Sequence, residues 1–217
     1  MLKYWMSLIL ALSMTPSVYG QNDISKAMVE MDSRLTDYTI SRTDTQFYET
    51  KELHKLFYYD SDSILRKTAS FYRSGKKKRL LNRDQEDRLD GLTLTIYESG
   101  SLKSYGMYNK GVGFSYQYYE DGRIKIYSQS KDTYLIGYRA TFCSEGELYS
   151  ETFYDSTGYS VLGYHCNGNL RVKGRNDTAY INKIGKWEYW NEEGKLIKVE
   201  FWEDGQLIKE EKIEISR

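Results

Sequence analysis

Cys143, His165 and Cys166 are the residues of this chain best equipped for chemistry, because a thiolate beside an imidazole is a small, complete nucleophile and base pair. His165 and Cys166 are sequence neighbours, and neighbours in a strand point to opposite faces, which removes the pair. The only other histidine, His54, is remote in sequence, and neither metal-ligand spacing nor a G-x-S-x-G elbow is present. Paired carboxylates occur at Glu192-Glu193 and Glu210-Glu211, but acid and base work needs buried, perturbed carboxyls, and these sit at a turn and in a charged tail. No enzyme activity and no cofactor is expected. The cysteines have a second chemistry. Cys143 stands three residues before Gly146 and Cys166 two before Gly168, almost equivalent places on neighbouring repeats. Adjacent strands lie about 5 Å apart and a disulfide spans about 4.4 to 6.8 Å between Cα atoms, whereas the one-residue offset turns the side chains to opposite faces. A bridge and two separate packed thiols both stay open.

The elements that hold these residues are short strands. The chain of 217 residues carries Tyr 22, Gly 17 and Pro 1, a composition suited to antiparallel strands joined by glycine turns. Lys+Arg 31 against Asp+Glu 31 leaves no basic excess for nucleic acid and no electrostatic attraction to an anionic membrane surface. The expected class is all-β, an elongated antiparallel meander of repeated hairpins with a short N-terminal helix.

Residues 1–20 read as a signal peptide, with Lys3 before a short apolar stretch and small residues ahead of a cleavage site between Gly20 and Gln21. The expected location is therefore periplasmic or extracellular, with no transmembrane span after cleavage. Residues 21–53 are expected to form a cap. Within it, Asp23 N-caps a helix over Asn22 to Arg34, with Ile24, Ala27, Met28 and Met31 at helical spacing, and Thr36 to Thr50 gives an irregular or edge strand.

Residues 54–210 carry the repeat. Turn residues stand at Ser63, Gly100, Gly122, Gly146, Gly168 and Gly194; four places earlier are Tyr59, Ile96, Tyr118, Phe142, Tyr164 and Trp190. Two places later are Leu65, Leu102, Ile124, Leu148, Leu170 and Leu196. Residues flanking a hairpin turn face each other across the ladder, so these pairs are expected to form the repeat core. A second turn glycine recurs at Gly111 and Gly205 and is missing after Gly122 and Gly168, where Gln129 and Arg175 make the following strand polar. Such ragged units are the expected places for a localised function. Residues 76–90, rich in both signs of charge, read as a solvated insertion, and 211–217 as a charged tail.

The pattern G-x-W-x-x-Y/W-x-x-x-G-x-L, best seen from Gly185 to Gly205 and again from Gly91 to Gly111, resembles the MORN-repeat variant of bacterial proteins. The resemblance implies an elongated twisted meander, a scaffolding or protein-interaction role, and for some members an antitoxin label. The expected function is an exported, non-catalytic module with a protein partner. One alternative is a carbohydrate or cell-wall binding module that uses outward aromatics, for which Tyr119, Trp187 and Tyr189 are the candidates and Tyr118 and Trp190 are assigned to the core. The other is an antitoxin or immunity protein.

Overall fold

The structure, a computed structural model, describes residues 38–132, 134–178 and 182–214. They form one antiparallel sheet of fifteen strands whose spatial order is the order in sequence, and no helix occurs among them. The signal peptide, its Gly20–Gln21 cleavage site and the helix over 22–34 lie outside the described residues.

The chain divides into two compact units, the first running to Tyr105 with Glu120–Gly122, the second holding Gly106–Tyr119 and Arg123 onward. The first contains β1 (Arg42–Phe47), β2 (Leu53–Tyr59), β3 (Leu65–Phe71), β4 (Lys77–Asn82) and β5 (Gly91–Ile96). It also contains the start of β6 (Leu102–Asn109). The second contains β7 (Val112–Tyr118), β8 (Ile124–Lys131), β9 (Tyr134–Phe142), β10 (Leu148–Asp155) and β11 (Gly158–Tyr164). It ends with β12 (Leu170–Asn176), β13 (Lys183–Trp190), β14 (Leu196–Glu203) and β15 (Gln206–Lys212). β1 is the edge strand expected between Thr36 and Thr50, and it is exposed along its length.

One turn recurs. Its first residue donates its N–H to the carbonyl four places on, as Tyr97 does to Ser101 (2.8 Å) and Asn191 to Lys195 (3.0 Å). The fourth residue donates back to the first, Gly100 to Tyr97 at 2.9 Å and Gly194 to Asn191 at 3.0 Å, with φ at 102° and 77°. That positive φ is why glycine marks the turn. The strand then resumes with a bulge, which makes Tyr118–Ile124, Phe142–Leu148, Tyr164–Leu170 and Trp190–Leu196 direct cross-strand partners. The other ends of several strands close on two-residue turns with both φ positive, Lys110-Gly111 and Asp204-Gly205, the primed geometry that matches strand twist.

Three expectations are corrected. Ser63 does occupy a turn of the recurring kind, with Asp60 N–H donating to Ile64 O at 3.1 Å and φ of 62° at Ser63. It joins β2 to β3, however, at the end of the unit opposite the turn between β3 and β4. The glycine in phase with Gly100 is Gly75, whose flanking pair is Phe71–Lys77; Lys77 hid it, because the aliphatic partner is absent there. The segment 76–90 is no insertion, since Lys77–Asn82 is strand β4, with Leu80 paired to Ala69 on one side and Leu94 on the other. The tail boundary at 211 falls inside β15.

The flanking pairs are also not the core. Of the twelve residues only Leu102 is buried, Ile124 is exposed and the rest are half-buried. The buried apolar residues are Leu92, Leu94, Leu102 and Tyr105 in the first unit and Ala140, Cys143, Trp187 and Val199 in the second. The pairs stand at strand ends beside the turns, where solvent reaches them, whereas most of the buried side chains stand further along their strands.

Successive turns on one end of each unit are clasped together. In the first unit Tyr48 OH donates to Phe71 O (2.9 Å) and Tyr72 OH to Ile96 O (2.8 Å). In the second, Tyr119 OH donates to Phe142 O (3.0 Å) and His165 Nε2 lies 3.0 Å from Trp190 O. Between these two, at the first position of its turn, Cys143 is disulfide-bonded to Cys166 with Cα atoms 6.2 Å apart. The two cysteines belong to neighbouring turns with all of β10 between them, not to adjacent strands, so the face rule that argued against a bridge does not apply. His165 and Cys166 lie in a turn, and Cys166 has no free thiol.

A candidate binding groove between the ragged repeats

The aromatics expected to face a ligand are engaged within the chain. Tyr119 is used in its clasp, with Lys125 Nζ 5.2 Å from its ring centre. Trp187 is buried and lies flat on Gly174, where an added Cβ would stand 2.1 Å from Trp187 Cδ2. Its Nε1–H donates to Arg175 O at 3.1 Å. Tyr189 OH donates to Glu200 Oε2 at 2.6 Å. Glu200, itself 5% exposed, also accepts from Lys198 (2.6 Å), Trp202 Nε1 (2.9 Å) and Lys183 (3.0 Å). Burial pushes this carboxyl up, but the four donors outweigh it and hold it at about 2. The cluster is a closed, satisfied network.

A different aromatic set runs across one face of the second unit. Tyr116 and Tyr127 are cross-strand partners with ring centres 4.8 Å apart; Phe114 and Tyr118 flank Tyr116 at 5.9 and 6.4 Å. Tyr127 continues to Tyr138 (6.0 Å) and Tyr138 to its partner Phe153 (5.1 Å). Val112 and Ile124 border the set, and they and Phe153 are exposed. Glu151 anchors the far end, accepting from Tyr138 OH (2.7 Å) and Tyr164 OH (2.8 Å). Burial and the adjacent carboxylate push the Tyr164 hydroxyl up to about 12. Tyr118, assigned to the core from the sequence, belongs to this half-buried stripe instead.

The polar residues of the ragged units touch residues that line a shallow groove, Gln129 through Gly137 and Arg175 through Asp155. Gln129 sits at a break in register where β8 passes from Arg139 to Ile136. Its Oε1 accepts from Tyr138 N–H at 3.0 Å and would stand 2.3 Å from a Cβ at Gly137, whose φ is 60°. The positive φ favours glycine there, and a larger residue would have to displace the Gln129 amide. Arg175 Nη2 reaches both oxygens of Asp155, at 2.7 and 2.9 Å, and Nη1 donates to Ser160 Oγ at 3.1 Å. Arg175 and a second bond from Thr157 N–H hold the Asp155 carboxyl well below the usual carboxylate range. Between Gly137 and Asp155 opens a groove of about 350 Å³. Leu135, Ile136, Gly137 and the cross-strand pair Tyr154–Tyr159, ring centres 5.4 Å apart, line it. Asp155, Ser156 and Thr178, all exposed, also line it. The missing second glycine was the sequence signal for this place; the tyrosine pair carried none.

Among the described residues no group of three or more His, Cys, Asp or Glu could hold a metal, and no helix is long and apolar enough to cross a membrane. No family model and no curated protein sequence matches the chain. Two solved structures are similar in part, titled "Crystal Structure of TcdB2-TccC3-Cdc42" and "Crystal Structure of TcdB2-TccC3". They have TM-scores of 0.23 and 0.21 and identities of 13% and 14%. The match covers 74% of this chain and 12% of each of theirs. A likeness at that level carries no argument about fold or function.

Proposed function

We propose that the chain is an exported, non-catalytic repeat protein of MORN-variant type whose sheet binds a protein partner or scaffolds an envelope assembly. The observation that supports this best is the stripe from Phe114 to Phe153, bordered by exposed Val112 and Ile124 on one sheet face. The rings are half-buried apart from Phe153, with exposed Val112 and Ile124 beside them, and Tyr and Phe are enriched at the centres of protein interfaces. Export is supported by the sequence pattern of residues 1–20 and by a disulfide of the kind that persists in oxidising compartments. The repeat reading is supported by the recurrence of one hairpin turn at Gly75, Gly100, Gly146, Gly168 and Gly194.

The test is crosslinking of the tagged mature chain in the envelope fraction, beside a panel of cell-wall polysaccharides. A specific protein crosslinked through the β7–β10 face is the expected outcome. Recovery of glycan with no protein would overturn the reading in favour of a cell-wall binding module.

A further inference from the structure

We propose that Arg171 and Arg139, with the Ser150 and Thr141 hydroxyls between them, form a binding site for a phosphate group on the sheet face opposite the aromatic stripe. This goes beyond the protein-partner reading, and its failure leaves that reading standing.

Register places the four residues together. Ser150 is the direct partner of Thr141 on β9 and of Gly163 on β11, and residues paired across strands share a face. The hydroxyls of Ser150 and Thr141 lie 2.6 Å apart. Arg139 stands two places before Thr141 on β9, hence on the same face, and diagonally across from Ser150, a separation that a long side chain covers. Its neighbour Tyr138 belongs to the stripe, so the site and the stripe lie on opposite faces. Arg171 comes in from β12, where it is the extra residue between Leu170, paired with Tyr164, and Val172, paired with Gly163. A Cβ at Gly163 would stand 3.3 Å from Arg171 Nη2. The guanidinium thus crosses the bare backbone of Gly163 and reaches β10, its Cζ 4.7 Å from the ring centre of Tyr149, the residue before Ser150.

Arg171 is held in this place at a cost. Its Nε is buried and has no acceptor among the described residues, whereas an arginine free to swing into water would hydrate that donor. The ring of Tyr149 and the seat over Gly163 fix the cation before a ligand arrives, which lowers the ordering cost of binding. Arg175 is committed to Asp155; neither Arg171 nor Arg139 has a carboxylate partner among the described residues. Glu151, next to Ser150, faces the stripe and accepts from Tyr138 and Tyr164. Of the two hydroxyl protons of Ser150 and Thr141, one serves the bond between them and the other is left to donate.

Charge selects the ligand. Two unmatched cations and a spare hydroxyl donor suit an anion of high charge with several acceptor oxygens. A phosphate monoester carries about −1.5 to −2 charges at neutral pH with three strong acceptor oxygens, and the arginine fork binds phosphate bidentately. A carboxylate would match one guanidinium and leave the other cation unmatched.

The experiment is a two-dimensional NMR titration of the full chain, following backbone amides and arginine Nε–H groups, with inorganic phosphate, glycerol phosphate and acetate, ionic strength being held by sodium chloride. A saturable shift at Arg171 Nε–H and at the Ser150 and Gly163 amides with at least one of the phosphates is expected. Tighter binding of the ester assigns the site to a phosphate-bearing molecule, and tighter binding of inorganic phosphate assigns it to the free ion. Arg171→Gln should weaken binding about tenfold or more and Arg139→Gln several-fold, since each removes charge-assisted bonds. Tyr149→Phe, which keeps the ring beneath Arg171, should retain binding, and Tyr149→Ala should weaken it. Should Arg171→Gln not fold, Arg139→Gln reads the same shifts from the other side of the site. Absence of saturable shifts with both phosphates would overturn the proposal. So would equal affinity for acetate, or shifts that the folded arginine variants leave unchanged.

Discussion

Glu200 and Trp187 are both buried in the second unit. The Glu200 carboxyl, raised by burial and lowered further by four donors, titrates at about 2 in the fold against about 4.3 when unfolded. A group with a depressed folded pKa stabilises above its unfolded value and loses that contribution as pH falls through the folded one. Unfolding by urea should therefore show stability falling between about pH 4.5 and pH 2. Glu200→Gln should flatten that acid limb while lowering stability at pH 7. An unchanged limb in the variant would show that Glu200 is not its source. Trp187 rests on Gly174 with no room for a Cβ, which would stand 2.1 Å from Trp187 Cδ2. Gly174→Ala should cost about 1–3 kcal/mol by overpacking, and Trp187→Ala about 3–5 kcal/mol by emptying the site. Equilibrium denaturation checks both, and wild-type stability in Gly174→Ala would contradict the packing account. The sequence made Trp187 a candidate outward aromatic because alternation alone assigns sides, and one side of a sheet says nothing of which residue finds a glycine opposite.

At the scale of elements, the recurring turn and its clasp hold neighbouring hairpins together. The tyrosines at its first position each donate one neutral hydrogen bond, so Tyr72→Phe and Tyr119→Phe should each cost about 1 kcal/mol. The disulfide replaces that bond in its own turn by a covalent one, and the double variant Cys143→Ser/Cys166→Ser should cost about 2–4 kcal/mol. Denaturation with and without a dithiol reductant measures the last. An equal midpoint in both conditions would show that the bond contributes nothing. The glycine turns were legible from the sequence because a positive φ leaves a compositional mark. Phase was less legible: Ser63 and Asp87 adopt left-handed φ of 62° and 63° without glycine, and they mark turns between the units' other strand ends. β4 was hidden because Lys77, Lys78 and Arg79 are exposed, and charge on the open side of a strand looks like a loop. The groove was half legible, since Gln129 and Arg175 broke the pattern while Tyr154 and Tyr159 matched what any strand here contains.

For the molecule as a whole, a sheet of fifteen strands with few fully buried side chains makes sense if part of its surface meets another molecule. Phe114, Tyr116, Tyr118, Tyr127, Tyr138 and Phe153 form a continuous series of neighbouring rings across four strands. The all-β class was written in composition and spacing; the half-buried stripe was not, because alternation assigns sides without saying how far each side is covered. Val112, Ile124 and Phe153 are exposed, so changing them to Lys, Lys and Glu should leave the melting curve nearly unchanged. The most direct measurement compares quantitative crosslinking of the wild-type chain and this triple variant in the envelope fraction. The account predicts a defined protein adduct with the wild type that falls at least tenfold in the folded variant. An adduct equally abundant in both, or a wild-type chain that captures glycan alone, would contradict it.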